Sequence, residues 1–183
     1  MGRKENKYAA MKMFLATIFL LFISHLPAIA QYNEDVIKAA YLERITRFVE
    51  WPVRSNFNSG DPFVIGVYDE DEFYSTLTGV FKDKPIKEHK VKIILIKGPE
   101  EINGCNLCYI SAKAKPMIRK FVDIANSSGV LLMSETTNFC KEGVHINFYI
   151  EDEKLKFEIN EQSIVSAGFK VSYLLMQNTR KVQ

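Results

Sequence analysis

The three cysteines are the side chains best suited to redox or metal chemistry, and Cys105 and Cys108 form a C-x-x-C pair. A redox pair of this spacing normally opens a helix, whose N-terminus lowers the thiol pKa. Here the pair starts or lies within an apolar run that predicts a strand, and residues three apart on a strand point to opposite faces. A zinc site would need a second ligand pair, and only Cys140 remains. The pattern favours buried free thiols, or one disulfide that involves Cys140, over redox or metal chemistry.

The histidines and acidic residues do not form a catalytic motif. His89 lies in a charged stretch that predicts a solvated loop, and His145 opens an apolar strand, where a structural or edge role is expected. Neither adjoins a nucleophile motif. The acidic run 69–72 lacks the glycine turn and distal glutamate of a calcium loop, so it predicts a solvated helix start. The sequence therefore predicts no enzyme, and no catalytic, cofactor-binding or metal-binding residues.

Residues 1–30 have the pattern of a secretory signal peptide. Basic residues are followed by an apolar run at 13–23, and an A-x-A site ends at Ala30. The apolar run is shorter than the about 20 residues that cross a bilayer. We expect cleavage between Ala30 and Gln31, export to the periplasm, and a mature domain over residues 31–183.

The charge of the predicted mature chain is close to zero. Residues 1–30 carry four of the 24 basic residues and one of the 22 acidic residues, which leaves 20 basic and 21 acidic groups. A domain with a net charge near −1 has no electrostatic reason to bind nucleic acid or an anionic membrane surface. Nucleic acid is therefore not an expected partner.

The order of apolar runs predicts the fold class. A helix is expected from Asp35 to about Trp51, where Pro52 ends it. The predicted strands cover residues 62–68, 90–96, 107–110, 130–133, 145–150 and 155–159, and the later predicted helices begin near 73, 113, 162 and 172. This alternation predicts a single α/β domain with a largely parallel sheet, flanked by helices and finished by an antiparallel strand pair.

An ordered set of motifs in residues 34–180 resembles the YfiR family. The segments that carry the resemblance are K-A-A-Y-L at 38–42 with F-V-E-W-P at 48–52, P-F-V-I-G-V at 62–67, G-C-N-L-C-Y-I-S at 104–111, G-V-H-I-N-F at 143–148, F-E-I-N at 157–160, and A-G-F-K-V-S-Y-L-L at 167–175. The resemblance implies a periplasmic regulator that binds the periplasmic domain of a membrane signalling protein. It further implies repression of a diguanylate cyclase, hence control of cyclic di-GMP and biofilm, with an outer-membrane lipoprotein and a second copy as further partners.

The chain departs from the family at its cysteines. Some members carry a cysteine at the position of Gly66, matched to Cys105, and others carry one at the position of Asn147, matched to Cys140. Both partners are absent here, so these bridges cannot be transferred. His145 also replaces the common methionine.

The motif residues have structural as well as partner-binding interpretations. Trp51 and Pro52 are expected to pack in the core at the helix end more readily than to contact a partner. Asn147 and Asn160 are expected to tie loops together through hydrogen bonds. Glu158 alternates with apolar neighbours and is expected to face solvent.

Two other functions compete with the regulator. A small-molecule sensor or carrier would bind outside the carboxyl ends of the strands, where Phe63, Tyr68 and Ser111 are expected to lie near such ends or neighbouring strands. A thiol oxidoreductase would use Cys105 and Cys108. Substituting both cysteines with serine tests the second of these.

Overall fold

The computed structural model describes residues 26–55, 60–177 and 179–182. Most of the predicted signal peptide lies outside these residues. Residues 36–183 form one compact unit. Within the described part of the chain, no helix is both long enough and apolar enough to span a membrane.

A seven-stranded, mostly parallel sheet forms the centre of this unit. The strands of the described residues are, in chain order, β1 (Val49–Glu50), β2 (Phe63–Tyr68), β3 (Val91–Ile96), β4 (Leu107–Ile110), β5 (Leu131–Ser134), β6 (Ile146–Glu151), β7 (Lys154–Asn160), β8 (Lys170–Val171) and β9 (Arg180–Val182). Strands β1 and β8 pair with each other outside the main sheet. The main sheet has the order β3-β2-β4-β5-β6-β7-β9. Its first five strands are parallel, β7 runs antiparallel to β6, and β9 is parallel to β7. The predicted α/β class is confirmed.

One long helix precedes the strands, and shorter helices connect them. The α-helices are α1 (Leu26–Thr46), α2 (Asp71–Val80), α3 (Ile118–Ser128), α4 (Glu161–Ser166) and α5 (Tyr173–Met176), and 3₁₀ helices cover Pro99–Ile102, Ala112–Met117 and Phe139–Glu142. The helix predicted from residue 113 is therefore 3₁₀ around Pro116, which lacks a backbone N–H, and becomes α-helical at Ile118. Gly129 ends α3 in the left-handed conformation, at φ 70°.

Two other boundaries differ from the sequence prediction. The first helix ends at Thr46 and not near Trp51, because β1 pairs antiparallel with β8 immediately afterwards. The helix predicted over residues 172–180 ends at Met176, and the chain then forms the edge strand β9. Both differences arise from short strands whose pairing partners are distant in sequence.

Two apolar cores lie on opposite faces of the sheet. On the first face, α1 and α2 pack against β2 and β4–β7, with the side chains of Leu42, Phe73 and Phe148 in the same core. On the second face, the α3 residues Phe121 and Ala125 pack against β4 and β5. The second core does not include β6 and β7, so the second face of this hairpin is left to polar side chains.

Candidate functional site

The Trp-Pro motif has a structural role at the amino end of the sheet. The Trp51 indole Nε1 donates to the backbone oxygen of Asn106 at 2.8 Å, and the ring packs edge-on against Phe63 and Phe169, with centroids 5.5 and 6.0 Å apart. Pro52 packs so closely on Gly129 that a Cβ there would lie 2.9 Å from the proline Cγ. The motif therefore joins four other chain segments.

Two further polar residues tie interior loops together. Asn160 caps α4 by accepting from the backbone N–H of Ser163 at 2.8 Å, and its amide donates to the backbone oxygen of Cys140 at 2.7 Å. His145 is fully buried rather than at an edge. Its Nδ1 accepts from the backbone N–H of Leu132 at 2.9 Å, and its Nε2 lies 2.9 Å from Asn126 Oδ1. Burial lowers the pKa of His145 to about 3, so this imidazole is neutral.

The three cysteines are free and buried. Cys105 precedes β4 instead of lying within it, and it therefore packs in the same second-face core as Cys108, not on the opposite face as expected. Desolvation raises the pKa of Cys105 to about 11, that of Cys140 to about 12, and that of Cys108 well above its ordinary value. A thiol oxidoreductase needs the opposite shift, because the thiolate is the reactive form.

A polar ladder crosses the second face of the β6–β7 hairpin. Asn147 lies opposite Glu158, which lies beside Arg180 of β9. Arg180 Nε donates to Glu158 Oε2 at 2.8 Å, and the guanidinium lies 3.9 Å from the centroid of the Tyr149 ring. The Glu158 side chain is 8% exposed, so the expectation that it faces solvent is wrong. Its ion pair with Arg180 offsets the cost of burying it.

This ladder forms one wall of a polar cleft of about 510 Å³, which we define by six of its lining residues: Glu135, Lys141, Asn147, Glu158, Arg180 and Lys181. The cleft lies beyond the carboxyl end of β5. Glu135 Oε2 accepts from the buried Lys38 Nζ at 2.7 Å. Residues from three separate motifs, Lys38, Asn147 and Glu158, thus lie in or directly behind one site, together with an arginine that the sequence did not indicate.

An apolar groove lies on the first face of the same hairpin. It has a volume of about 440 Å³, and we define it by Tyr41, Phe48, Leu155, Phe157, Leu174 and Leu175. Leu174 is 63% exposed, and the neighbouring Tyr173 is 73% exposed. Arg44 adds positive charge to the groove lining.

The residues expected for a small-molecule sensor do not share one site. Tyr68 ends β2 and Ser111 follows β4, so both lie at carboxyl ends, but Phe63 begins β2 and lies at the opposite end. Beside Ser111, Lys113 Nζ pairs with Asp69 at 3.0 Å in the acidic loop that precedes α2. Among the residues that the structure describes, no group of three or more His, Cys, Asp or Glu side chains is placed to hold a metal ion.

The fold and these surfaces define a single α/β domain that presents a polar cleft and an apolar groove on either side of one hairpin. The sequence pattern described as YfiR/HmsC-like matches residues 35–180. The chain belongs to the YfiR/HmsC-like family.

Two solved structures that are similar to part of this chain are distant from it in sequence. The ABC domain in complex with L-Trp from Streptococcus pneumonia is 12% identical, with a TM-score of 0.48 over 66% of this chain and 56% of that one. A conserved domain protein from Vibrio cholerae O1 biovar El Tor str. N16961 is 10% identical, with a TM-score of 0.49 over 66% of this chain and 55% of that one. The chain thus spans little more than half the length of either protein. Comparison with curated proteins finds no match.

Proposed function

We propose that the protein is a periplasmic regulator that binds the periplasmic domain of a membrane diguanylate cyclase and holds it inactive. The observation that carries this proposal is the family match over residues 35–180, which covers the sheet except for the last two residues of β9. A protein that binds the inactive state of its partner more tightly than the active state shifts the partner toward inactivity without any chemistry of its own.

The apolar groove is the surface best suited to such a contact. Exposed apolar side chains that lie next to each other mark interaction sites more often than scattered ones do. Leu174 projects from the four-residue helix α5 into the groove lining, and its neighbour Tyr173 is exposed beside it. Phe48 and Leu155 are partly buried within the groove. A partner that covers these side chains gains apolar burial on a surface already shaped as a concavity.

The charge at the groove indicates the chemistry of its occupant. Arg44 lines the groove and is exposed. A partner segment with an apolar side chain next to a carboxylate would complement this surface, since opposite charges steer and orient association. An outer-membrane lipoprotein that presents the same kind of segment would compete for the groove and release the cyclase. A second copy of the chain is a further expected partner.

Capture from membrane extract, combined with gene deletion, tests the proposal. We expect the purified protein to retain a membrane protein that carries a cyclase domain, and we expect deletion to raise cellular cyclic di-GMP. The variant Leu174→Asp should lose capture because it places a charge in the groove. Val165→Asp is the matched control, since Val165 is 68% exposed on α4 and lies outside the groove lining. Unchanged cyclic di-GMP on deletion, with no cyclase captured, would contradict the proposal.

A further inference from the structure

The polar cleft has the size of a small-molecule site. Its volume of about 510 Å³ falls within the roughly 300–1,000 Å³ that is typical of ligand pockets. Three chain segments form its walls: the loop after β5, the β6–β7 hairpin, and β9. Since α3 packs on the neighbouring strands and not on this hairpin, the cleft remains open to solutes.

Asn147 places an unsatisfied hydrogen-bond acceptor in this wall. The residue is 1% exposed, and its amide nitrogen donates to the backbone oxygen of Phe148 at 3.2 Å and to Glu158 Oε1 at 3.4 Å. Its Oδ1 has no donor among the described residues. Rotating the amide by 180° would point the oxygen at two acceptors, so the orientation is fixed by its neighbours. A buried acceptor without a donor is unfavourable, and a ligand hydroxyl can supply the missing hydrogen.

The charge balance of the cleft favours an anion with one negative charge. Its lining contains three cations and two carboxylates. Four of these five charges are already in ion pairs: Glu135 pairs with Lys38, Glu158 pairs with Arg180, and Lys181 pairs with Glu161 at 3.3 Å. Lys141 is exposed, and no ion pair among the described residues engages it. The net charge of the lining is therefore +1, so a ligand with a single carboxylate balances it, whereas a doubly charged phosphate would leave an excess of negative charge.

We propose that the polar cleft binds a small hydroxylated monocarboxylate of the sugar-acid class. The ligand carboxylate pairs with Lys141 at the mouth of the cleft, and a hydroxyl donates to Asn147 Oδ1 at the wall. Other hydroxyls donate to the second oxygen of Glu135, whose side chain is 36% exposed. This binding is independent of the apolar groove and therefore of the proposed partner.

Calorimetric titration of the purified protein tests the ligand class. The probes are D-glucuronate and D-gluconate, which carry both features, D-glucose, which has hydroxyls without the charge, and acetate, which has the charge without hydroxyls. We expect saturable one-to-one binding of at least one sugar acid, and binding of glucose and acetate that is weaker by about tenfold or more. The absence of saturable binding by both sugar acids would overturn the proposal.

Variants locate the site. Lys141→Ala changes an exposed side chain and should weaken sugar-acid binding about tenfold. Lys154→Ala, at an exposed position outside the cleft, should leave it unchanged. Asn147→Leu should abolish binding while circular dichroism reports an intact fold. Equal affinities for the wild type, Lys141→Ala and Asn147→Leu would overturn the proposal.

Discussion

The two faces of the β6–β7 hairpin differ in what lies on them. On the first face, the rings of Phe148 and Phe157 pack edge-on against Tyr41 of α1, at centroid distances of 6.5 and 6.2 Å. On the second face, Asn147 and Glu158 hold hydrogen bonds and an ion pair beside an open cleft. Because successive side chains of a strand point to opposite faces, the same two strands supply both surfaces. Alternate residues of one strand can therefore be substituted to change either stability or polar recognition separately.

The largest loss of stability is expected for a buried ring of the first face. Phe148 is fully buried, so Phe148→Ala leaves a cavity and should lower the free energy of unfolding by about 3–5 kcal/mol. Leu174→Ala, at the exposed rim of the apolar groove, should change it by less than about 0.5 kcal/mol. Urea denaturation measures both. Similar losses for the two variants would show that this face is not organised around a buried centre.

The second face under α3 is packed closely enough for a disulfide. A Cβ on Gly66 would lie 3.0 Å from Cys105 Sγ, which is about the separation of these atoms across a disulfide. We expect Gly66→Cys to bridge to Cys105 and to raise the free energy of unfolding by about 2–4 kcal/mol. Reducing agent should remove the gain, and Gly66→Ala is the control without a thiol. Four titratable thiols in the oxidised, denatured variant would refute the expectation.

His145, which directly precedes β6, should make the stability of the protein depend on pH. Its pKa is about 3 in the folded protein, below its ordinary value of 6.5, so the unfolded chain binds this proton first as pH falls. The stabilisation is complete above pH 6.5 and is lost toward pH 3, with a slope of up to about 1.4 kcal/mol per pH unit. Thermal unfolding of His145→Met between these limits should show a flatter pH dependence. An unchanged slope would assign the effect to other groups.

The smallest effect is expected from the ion pair beside the polar cleft. Arg180→Ala leaves the buried Glu158 carboxylate without its partner, but the arginine side chain is 51% exposed, so water partly replaces it. We expect a loss of about 1–2 kcal/mol. Lys156→Ala breaks the more exposed pair with Glu151 on the same face and should cost clearly less, because water replaces the lost partner. Equal losses for the two variants would mean that the partly buried Arg180–Glu158 pair stabilises the fold no more than the exposed pair does.

Apolar runs made most of the sheet predictable. The strand Leu107–Ile110 agrees with its prediction, and the hairpin strands differ from theirs by one residue at each end. Strand β9 was not predictable, because a three-residue edge strand depends on pairing with β7 and not on its own pattern. Its position explains why Arg180 was missed.

The alternation of side chains correctly placed Glu158 on the face opposite Phe157 and Ile159. It did not indicate that this face is covered by other residues. The burial of Glu158 depends on Arg180 and on the 3₁₀ helix that packs against β7, neither of which is encoded near it. Cys105 was misplaced for a local reason. Gly104 has φ 97°, so the chain turns before β4 and brings Cys105 to the same core as Cys108.

Reconstitution of the purified protein with a membrane diguanylate cyclase tests the central claim most directly. Cyclic di-GMP formation is measured as the wild type, Leu174→Asp or Val165→Asp is added. We expect the wild type and Val165→Asp to inhibit the cyclase equally, and Leu174→Asp not to inhibit it. Equal inhibition by all three proteins, or no inhibition by the wild type, would contradict it.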